Sequence, residues 1–343
     1  MGKTLTFADL NAQSARIGAW LQSLGLAKGD RVAVMMPNIL QNPVIVYGIL
    51  RAGFTVVNVN PLYTPRELQH QLVDSGAKAI FVLENFAHTV QQVVDKTSVK
   101  HVVVATMGDM LGLKGAIVNL VVRRVKKLVP AWSIPGHLSF KDVLAKGGRS
   151  TLTKPNVAAS DVAFLQYTGG TNGLSKGAIL THGNIVANTQ QYRAIVPQLC
   201  DPGREVLVLA LPLYHIFGLM IMLVYASIGA KAVLIPNPRD GDRFIDAIRD
   251  AKFSVIPGVN TLFQALLVHP RFNEVDLSGY KAAIGGGAAV IPATSEQWKT
   301  LTGHHIKEAY GLSETSPLLC INPMSVTDFT GSCGLPVPSS EVL

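Results

Sequence analysis

The sequence is short of charge, of aromatic side chains and of cysteine, and each shortage excludes something. Only 15% of the 343 residues are Asp, Glu, Lys or Arg, against 48% hydrophobic. A chain of that balance buries enough apolar surface to offset its ordering entropy, which excludes disorder and low complexity. The three cysteines, Cys200, Cys320 and Cys333, form no C-x-x-C pair and have no metal-ligand spacing nearby. A small disulfide-stapled domain is therefore excluded, and reduced thiols in a cytoplasmic protein are expected. The start, MGKTLTFADL, lacks the apolar core of a secretory signal. Lys and Arg exceed Asp and Glu, 30 to 22. The basic residues show neither interleaved stacking aromatics nor a groove-reading pattern, so nucleic acid is not the expected partner.

What the sequence does have is alternation. Short β-branched runs, RVAVMM (31–36), TVVNVN (55–60), AIFVLE (79–84) and HVVVAT (101–106), are separated by helical patterns at 43–51 and 86–96. Thr64-Pro65-Arg66-Glu67 is a helix start: Thr64 caps, Pro65 suits the first helical position and Glu67 reaches back to the cap amide. That helix should stop at Gly76. A second series places strands at 205–211, 231–236, 253–258, 280–285 and 305–311, with helices at 216–228, 241–251, 259–268 and 292–301. The pattern predicts α/β architecture, two doubly wound and mostly parallel sheets, with subdomains 1–196 and 203–343 on either side of a Pro/Gly-containing seam.

Two stretches raise the question of a membrane. Residues 206–230 contain no charge, but Pro212, His215, Gly218 and Gly229 punctuate them, and strand, turn and helix is the better reading. Residues 107–150 break the α/β rhythm as an insertion. Within them, a helix over 117–129 would put Ile117, Val121, Val125 and Leu128 on one arc and Arg123, Arg124, Lys126 and Lys127 on the other. Such a helix either lies on an anionic bilayer at the inner face of the membrane or covers a core with its charged face solvated.

The strongest local signal is the run Tyr167 to Gly177, YTGGTNGLSKG, after the strand 163–167 and before a helix near His182. Gly169, Gly170, Gly173 and Gly177 let backbone approach a polyanion. Thr168, Thr171 and Ser175 add hydroxyls, Asn172 an amide, and Lys176 a compensating charge. It is not a Walker A loop, in which Gly directly precedes the Lys and Ser or Thr follows it. The composition points to phosphate binding.

This loop resembles the signature of the adenylate-forming enzymes, the superfamily of acyl-CoA synthetases, luciferases and peptide-synthetase adenylation domains. Three further segments match in order: LPLYHIFG (211–218), GGGA (285–288) and YGLSET (310–315). NVNPLYTPREL (58–68), PLYHIFGL and GVNTLFQALL (258–267) are similar to bacterial long-chain fatty-acid CoA ligases. The resemblance covers essentially the whole chain. It implies an incomplete N-terminal large domain of an enzyme that uses ATP, Mg²⁺ and coenzyme A to convert a fatty acid to acyl-adenylate and then acyl-CoA. Positions 168–177 would wrap the β- and γ-phosphates. Gly285, Gly286 and Gly287 would border adenine and the acyl pocket, and Tyr310 with Gly311 would take the adenine. Ser313 would approach the α-phosphate and Glu314 would hold Mg²⁺. Tyr214, His215, Gly258, Val259 and Thr261 would line the acyl site, with His215, Lys176 and Glu314 acting in catalysis. A homodimer is compatible with the sequence.

Taken singly, Tyr310 reads as a strand-end aromatic, His215 as a helix-cap histidine and Glu314 as a surface carboxylate. Asn172 stands where the family typically has Thr, and Ser313 where it usually has Thr. The family's ribose-binding Asp and late adenylation Lys do not occur before Leu343. A fragment or a degenerate relative, binding nucleotide weakly and turning over little, is the corresponding expectation. Two alternatives stay open: another acyl-, aryl- or amino-acid-adenylating enzyme, and a catalytically dead membrane-associated binding module.

Overall fold

Local chemistry starts the helices where the sequence places them, and the clearest case is the third. Thr64 accepts from the Glu67 amide while the Glu67 carboxylate accepts from the Thr64 amide, and the helix ends at Gly76 with φ of +61°. A cap of this kind is worth about 1 kcal/mol.

The computed structural model describes residues 2–169 and 174–342. The chain divides into two compact units, Met1–Gly183 and Asn184–Leu343. The division falls before the stretch 196–203, which lies within the second unit.

In the first unit the order is α1 (Phe7–Gln22), β1 (Arg31–Met35), α2 (Gln41–Arg51), β2 (Thr55–Asn58), α3 (Pro65–Ser75), β3 (Ala79–Leu83), α4 (Ala87–Gln91) and β4 (His101–Ala105). Then follow α5 (Lys114–Leu120), β5 (Leu138–Ser139), α6 (Phe140–Gly147), β6 (Val162–Thr168) and β7 (Lys176–Thr181). The sheet order is β5-β4-β3-β1-β2-β6-β7, and every pairing is parallel except β6 with β7. All five residues of β3 are buried, as a strand covered on both faces requires. Ile80 and Val82 pack with Leu68, Leu72 and Val90. Between them in sequence, Phe81 points to the opposite face and meets Trp20 of α1 edge-on at 5.9 Å.

The second unit runs α7 (His182–Ile195, beginning at the boundary), β8 (Val206–Leu209), α8 (Ile216–Ser227), β9 (Lys231–Leu234), α9 (Gly241–Ile248) and β10 (Val255–Gly258). It continues with α10 (Asn260–Leu267), β11 (Ala282–Gly285), α11 (Pro292–Thr302), β12 (Lys307–Gly311), β13 (Leu318–Ile321) and β14 (Leu335–Pro336). The sheet order is β14-β13-β12-β11-β10-β8-β9, with β13 antiparallel to both neighbours and the rest parallel. Trp298 is fully buried and touches Phe263 and Phe272 at 5.1 and 5.6 Å between ring centroids. Its indole N–H donates to the Tyr280 hydroxyl at 2.8 Å, so the largest core side chain carries no orphaned donor. Three cysteines are free, Cys200 and Cys320 buried and Cys333 exposed.

Several expectations need correction. The helix foreseen at 86–96 breaks into α4 flanked by single 3₁₀ turns. The strand β7, antiparallel to β6, stands between the glycine-rich run and α7, where the sequence predicts a helix directly after the run. The charge-free stretch 206–230, by contrast, is strand, turn and helix as expected: β8, a turn and α8. Among the described residues no helix is long and apolar enough to cross a membrane.

The helix foreseen at 117–129 is also different. It is α5 followed by a π-helical turn, Val121–Val125, and Lys127 takes a left-handed backbone with φ of +51°. The wider turn shifts the register, so the arc drawn at 100° per residue does not survive. Val118, Val121, Val122 and Val129 are half-buried, whereas Leu113, Ile117, Leu120, Val125 and Leu128 are exposed. Arg123 leaves the solvated set: its guanidinium pairs with Glu84 at 2.6 Å.

Candidate active site

In a doubly wound sheet, ligands are bound beyond the carboxyl ends of parallel strands, near the point where strand order reverses. In the second unit that point is β8, which lies between β9 and β10. Tyr214 and His215 follow β8, Gly258 ends β10 with Val259 and Thr261 just after, and Gly285 ends β11 with Gly286 and Gly287 after it. Tyr310 and Gly311 end β12, and Ser313 and Glu314 follow in a 3₁₀ turn. Four sequence segments spread over a hundred residues thus leave one edge of one sheet.

Their contacts confirm the convergence. A Cβ added at Gly286 would lie 3.0 Å from the Phe217 ring and 3.3 Å from the Ala309 carbonyl. One at Gly287, where φ is +77°, would lie 3.6 Å from Val259. The glycine turn therefore joins the start of α8, the end of β10 and the end of β12. Phe217 lies inside LPLYHIFG and Ala309 directly precedes YGLSET, but neither stands out in the sequence because an apolar side chain carries no chemistry that marks a site. At Gly311 any Cβ would run into the Pro317 carbonyl, so glycine is a steric requirement there.

His215 caps α8, its Nδ1 accepting from the Phe217 amide at 3.3 Å. The ring stays open to solvent on one side, while the protein packed around the rest pushes its pKa below 6.5. A neutral imidazole with Nδ1 accepting carries its proton on Nε2. The capping role and a place at the strand ends are both present. Tyr310 is 45% exposed. Glu314 is exposed and makes no hydrogen bond or ion pair with any described residue. No group of three His, Cys, Asp or Glu able to hold a metal occurs among the described residues. A hard cation here would accordingly take one carboxylate and complete its shell with phosphate oxygens and water, which suits Mg²⁺.

Thr261 is exposed and Val259 half-buried, but Leu262, Phe263 and Leu266 of α10 belong to the core around Trp298. The stretch 259–267 presents its first residues to the strand ends and spends the rest on packing.

The glycine-rich run lies in the first unit. Gly170, Thr171, Asn172 and Gly173 are outside the described residues. On either side, Thr168 pairs with Lys176 across the hairpin. Lys176 is exposed with no acidic partner among the described residues. Gly177 lies against the Tyr167 ring, where a Cβ would approach to 3.0 Å. Ser175 differs from expectation. Its hydroxyl donates to the Thr168 carbonyl at 2.5 Å, closing the base of the loop.

Fold and site together define a domain of the adenylate-forming type. The AMP-binding enzyme family model matches residues 1–343, and the chain belongs to that family. The long-chain-fatty-acid–CoA ligase of Yersinia pestis is 52% identical over 345 residues, an alignment that covers the whole of this chain and 61% of that protein. The chain thus spans about 61% of the length of such curated relatives. In fold it is similar to the anthranilate CoA ligase AuaEII solved with anthranoyl-AMP (TM-score 0.82, 22% identity, 98% of this chain and 62% of that one). It is also similar to a long-chain-fatty-acid-CoA ligase from Archaeoglobus fulgidus (TM-score 0.77, 22% identity, 97% and 62%).

Proposed function

We propose that this chain carries the nucleotide- and acyl-binding part of a long-chain fatty-acid–CoA ligase. The observation that carries the reading is the meeting of Val259, Phe217 and Ala309 around the Gly286-Gly287 turn, which brings the acyl and nucleotide segments to one sheet edge. A fatty carboxylate oxygen attacks the α-phosphorus of ATP, the α–β anhydride bond breaks and pyrophosphate leaves. The CoA thiol then attacks the acyl carbonyl, AMP departs and the thiol proton passes to solvent. Two anions must approach each other in the first step, so the site has to neutralise charge and needs no covalent nucleophile. Lys176 and the amides of 168–177 serve the β- and γ-phosphates, Tyr310 the adenine and Ser313 the α-phosphate. Glu314 would hold Mg²⁺, which when bound would offset phosphate charge. His215, as a neutral Nε2–H donor, orients the carboxylate, and Tyr214, Gly258, Val259 and Thr261 border the chain.

Pyrophosphate exchange into ATP, run across fatty, aromatic and amino acids, tests this. Exchange stimulated by fatty acids of increasing length is expected, since each buried methylene adds about 0.8 kcal/mol. Stimulation by amino acids alone refutes the fatty-acid reading.

A second reading concerns location. Five large apolar side chains between Leu113 and Leu128 are exposed, among them Leu113 at 97% and Val125 at 72%. Lys114, Arg124, Lys126 and Lys127 are exposed beside them, and residues 110–137 include no acid. That combination supports peripheral contact with an anionic bilayer.

A further inference from the structure

We propose that α3 is a positioning element for the phosphate loop, with His70 and Asp74 as its two working residues. The inference rests on the reading of 168–177 as the phosphate site. In sheet order β7 is an edge strand with β6 as its only neighbour among the described residues, so the ladder holds it from one side. The other support comes from α3. His70 Nε2 lies 2.7 Å from the Ser175 carbonyl oxygen, and since a carbonyl only accepts, Nε2 carries the proton. One turn further on, Asp74 Oδ2 accepts from the Tyr167 hydroxyl at 2.6 Å. The helix therefore grips β6 and β7 at once, on both sides of the loop. Beneath these contacts Gln71 donates to the Asn58 carbonyl at 2.8 Å, and Asn58 donates to Gln166 at 3.2 Å, tying α3 through β2 to β6.

The consequence for binding follows from peptide planarity. Holding the Ser175 carbonyl fixes the plane it shares with the Lys176 amide, and with it the direction in which Lys176 leaves the strand. The Ser175 hydroxyl closes the loop on its other side at Thr168. A Lys176 backbone held in place before ligand arrives avoids part of the ordering cost on binding. These are surface contacts. The groove along α3, about 370 Å³ lined by Arg66, Gln69, His70, Val73 and Asp74, is open, so trimming His70 leaves no cavity in the core.

The test uses the 343-residue chain and calorimetric titration with Mg·ATP and with AMP, which lacks the β- and γ-phosphates. His70→Ala should weaken ATP about tenfold, the value of one well-placed hydrogen bond, and leave AMP affinity and melting temperature unchanged. His70→Gln, whose amide can donate to the same carbonyl, should recover most of the loss, and Asp74→Ala should behave like His70→Ala. Lys176→Ala separates the two ideas. If it weakens ATP while His70→Ala does not, the positioning role is overturned and the phosphate site stands. If neither changes the ATP-to-AMP ratio, the phosphate site itself is wrong. Amide exchange over 174–178 gives a readout that needs no nucleotide: faster exchange in His70→Ala supports the clamp, and unchanged exchange overturns it.

Discussion

The Arg123 guanidinium reaches back to Glu84, with Nη2 and Nε at 2.6 and 2.7 Å from the same carboxylate oxygen. Glu84 is 1% exposed, and its other oxygen has no partner. Burial raises the carboxyl pKa above 4.5 and Arg123 opposes that rise. Arg123→Ala should therefore cost stability, about 1–3 kcal/mol because the arginine itself is partly solvated. The sign with pH is fixed. A carboxyl whose folded pKa lies above its unfolded value loses stability as pH rises through the folded pKa, and removing Arg123 enlarges the gap. Urea denaturation should show the variant's deficit shrinking as pH falls toward 4.5, and Glu84→Gln should remove most of it. A deficit independent of pH would contradict this account.

Two glycines should separate sterically. Gly311→Ala places a methyl against the Pro317 carbonyl, which is backbone and cannot swing away. A loss of about 1–3 kcal/mol is expected, with weaker AMP binding, because the displaced backbone carries Tyr310. Gly169→Ala meets nothing within 4 Å and should change stability by no more than about 0.5 kcal/mol. Paired melting curves and an AMP titration decide it.

Glu314 faces solvent with no protein partner among the described residues, so its substitution should cost no stability. Glu314→Gln should lower ATP affinity about tenfold in the presence of Mg²⁺ and leave metal-free ATP binding unaltered. An equal loss with and without the metal would place the cation elsewhere.

The exposed apolar and basic side chains around α5 predict sedimentation with phosphatidylglycerol vesicles and little with neutral ones. Each surface-adjacent cation contributes on the order of 1 kcal/mol, so binding should fall steeply with salt. Leu113→Ser combined with Ile117→Ser and Leu120→Ser should abolish it without affecting fold. Retention of the triple variant on vesicles would refute the assignment.

His215 adds a second pH effect of opposite sign. Its folded pKa is below 6.5, so the unfolded chain takes up a proton first as pH falls. Protonation also removes the Nδ1 acceptor that caps α8. Stability should decline as pH drops through 6.5 and below, and His215→Gln should flatten that part of the profile. Identical slopes for both proteins would show that the ring is not the source.

The legible features are those whose cause is near in sequence. Thr64, Pro65, Glu67 and Gly76 each act within one turn, and α3 begins and ends where they indicate. The alternation of β-branched runs with helices likewise gave the parallel sheets. What escaped depends on partners far away. KGAILT is a strand because β6 pairs with it, and the glycines before it conceal this. Arg123 looked like one more solvated cation until Glu84, 39 residues earlier, claimed it. Of the candidate site, the residue types were readable from motifs, but their assembly depends on β8 lying between β9 and β10. The start of α3 was legible at Thr64–Glu67, but the hold of α3 on Ser175 through His70 depends on a contact spanning 105 positions.

That long span has a consequence for how the protein comes into being. The outer edge of β2 is completed only by β6, whose residues follow about a hundred positions later, as the Asn58–Gln166 bond records. During synthesis β1 to β4 can assemble while the β2 edge still waits. Its four residues are all buried in the finished molecule. An unpaired edge of that kind is an invitation to pair with another nascent chain. The β6–β7 pair is then among the last features of the first unit to take shape.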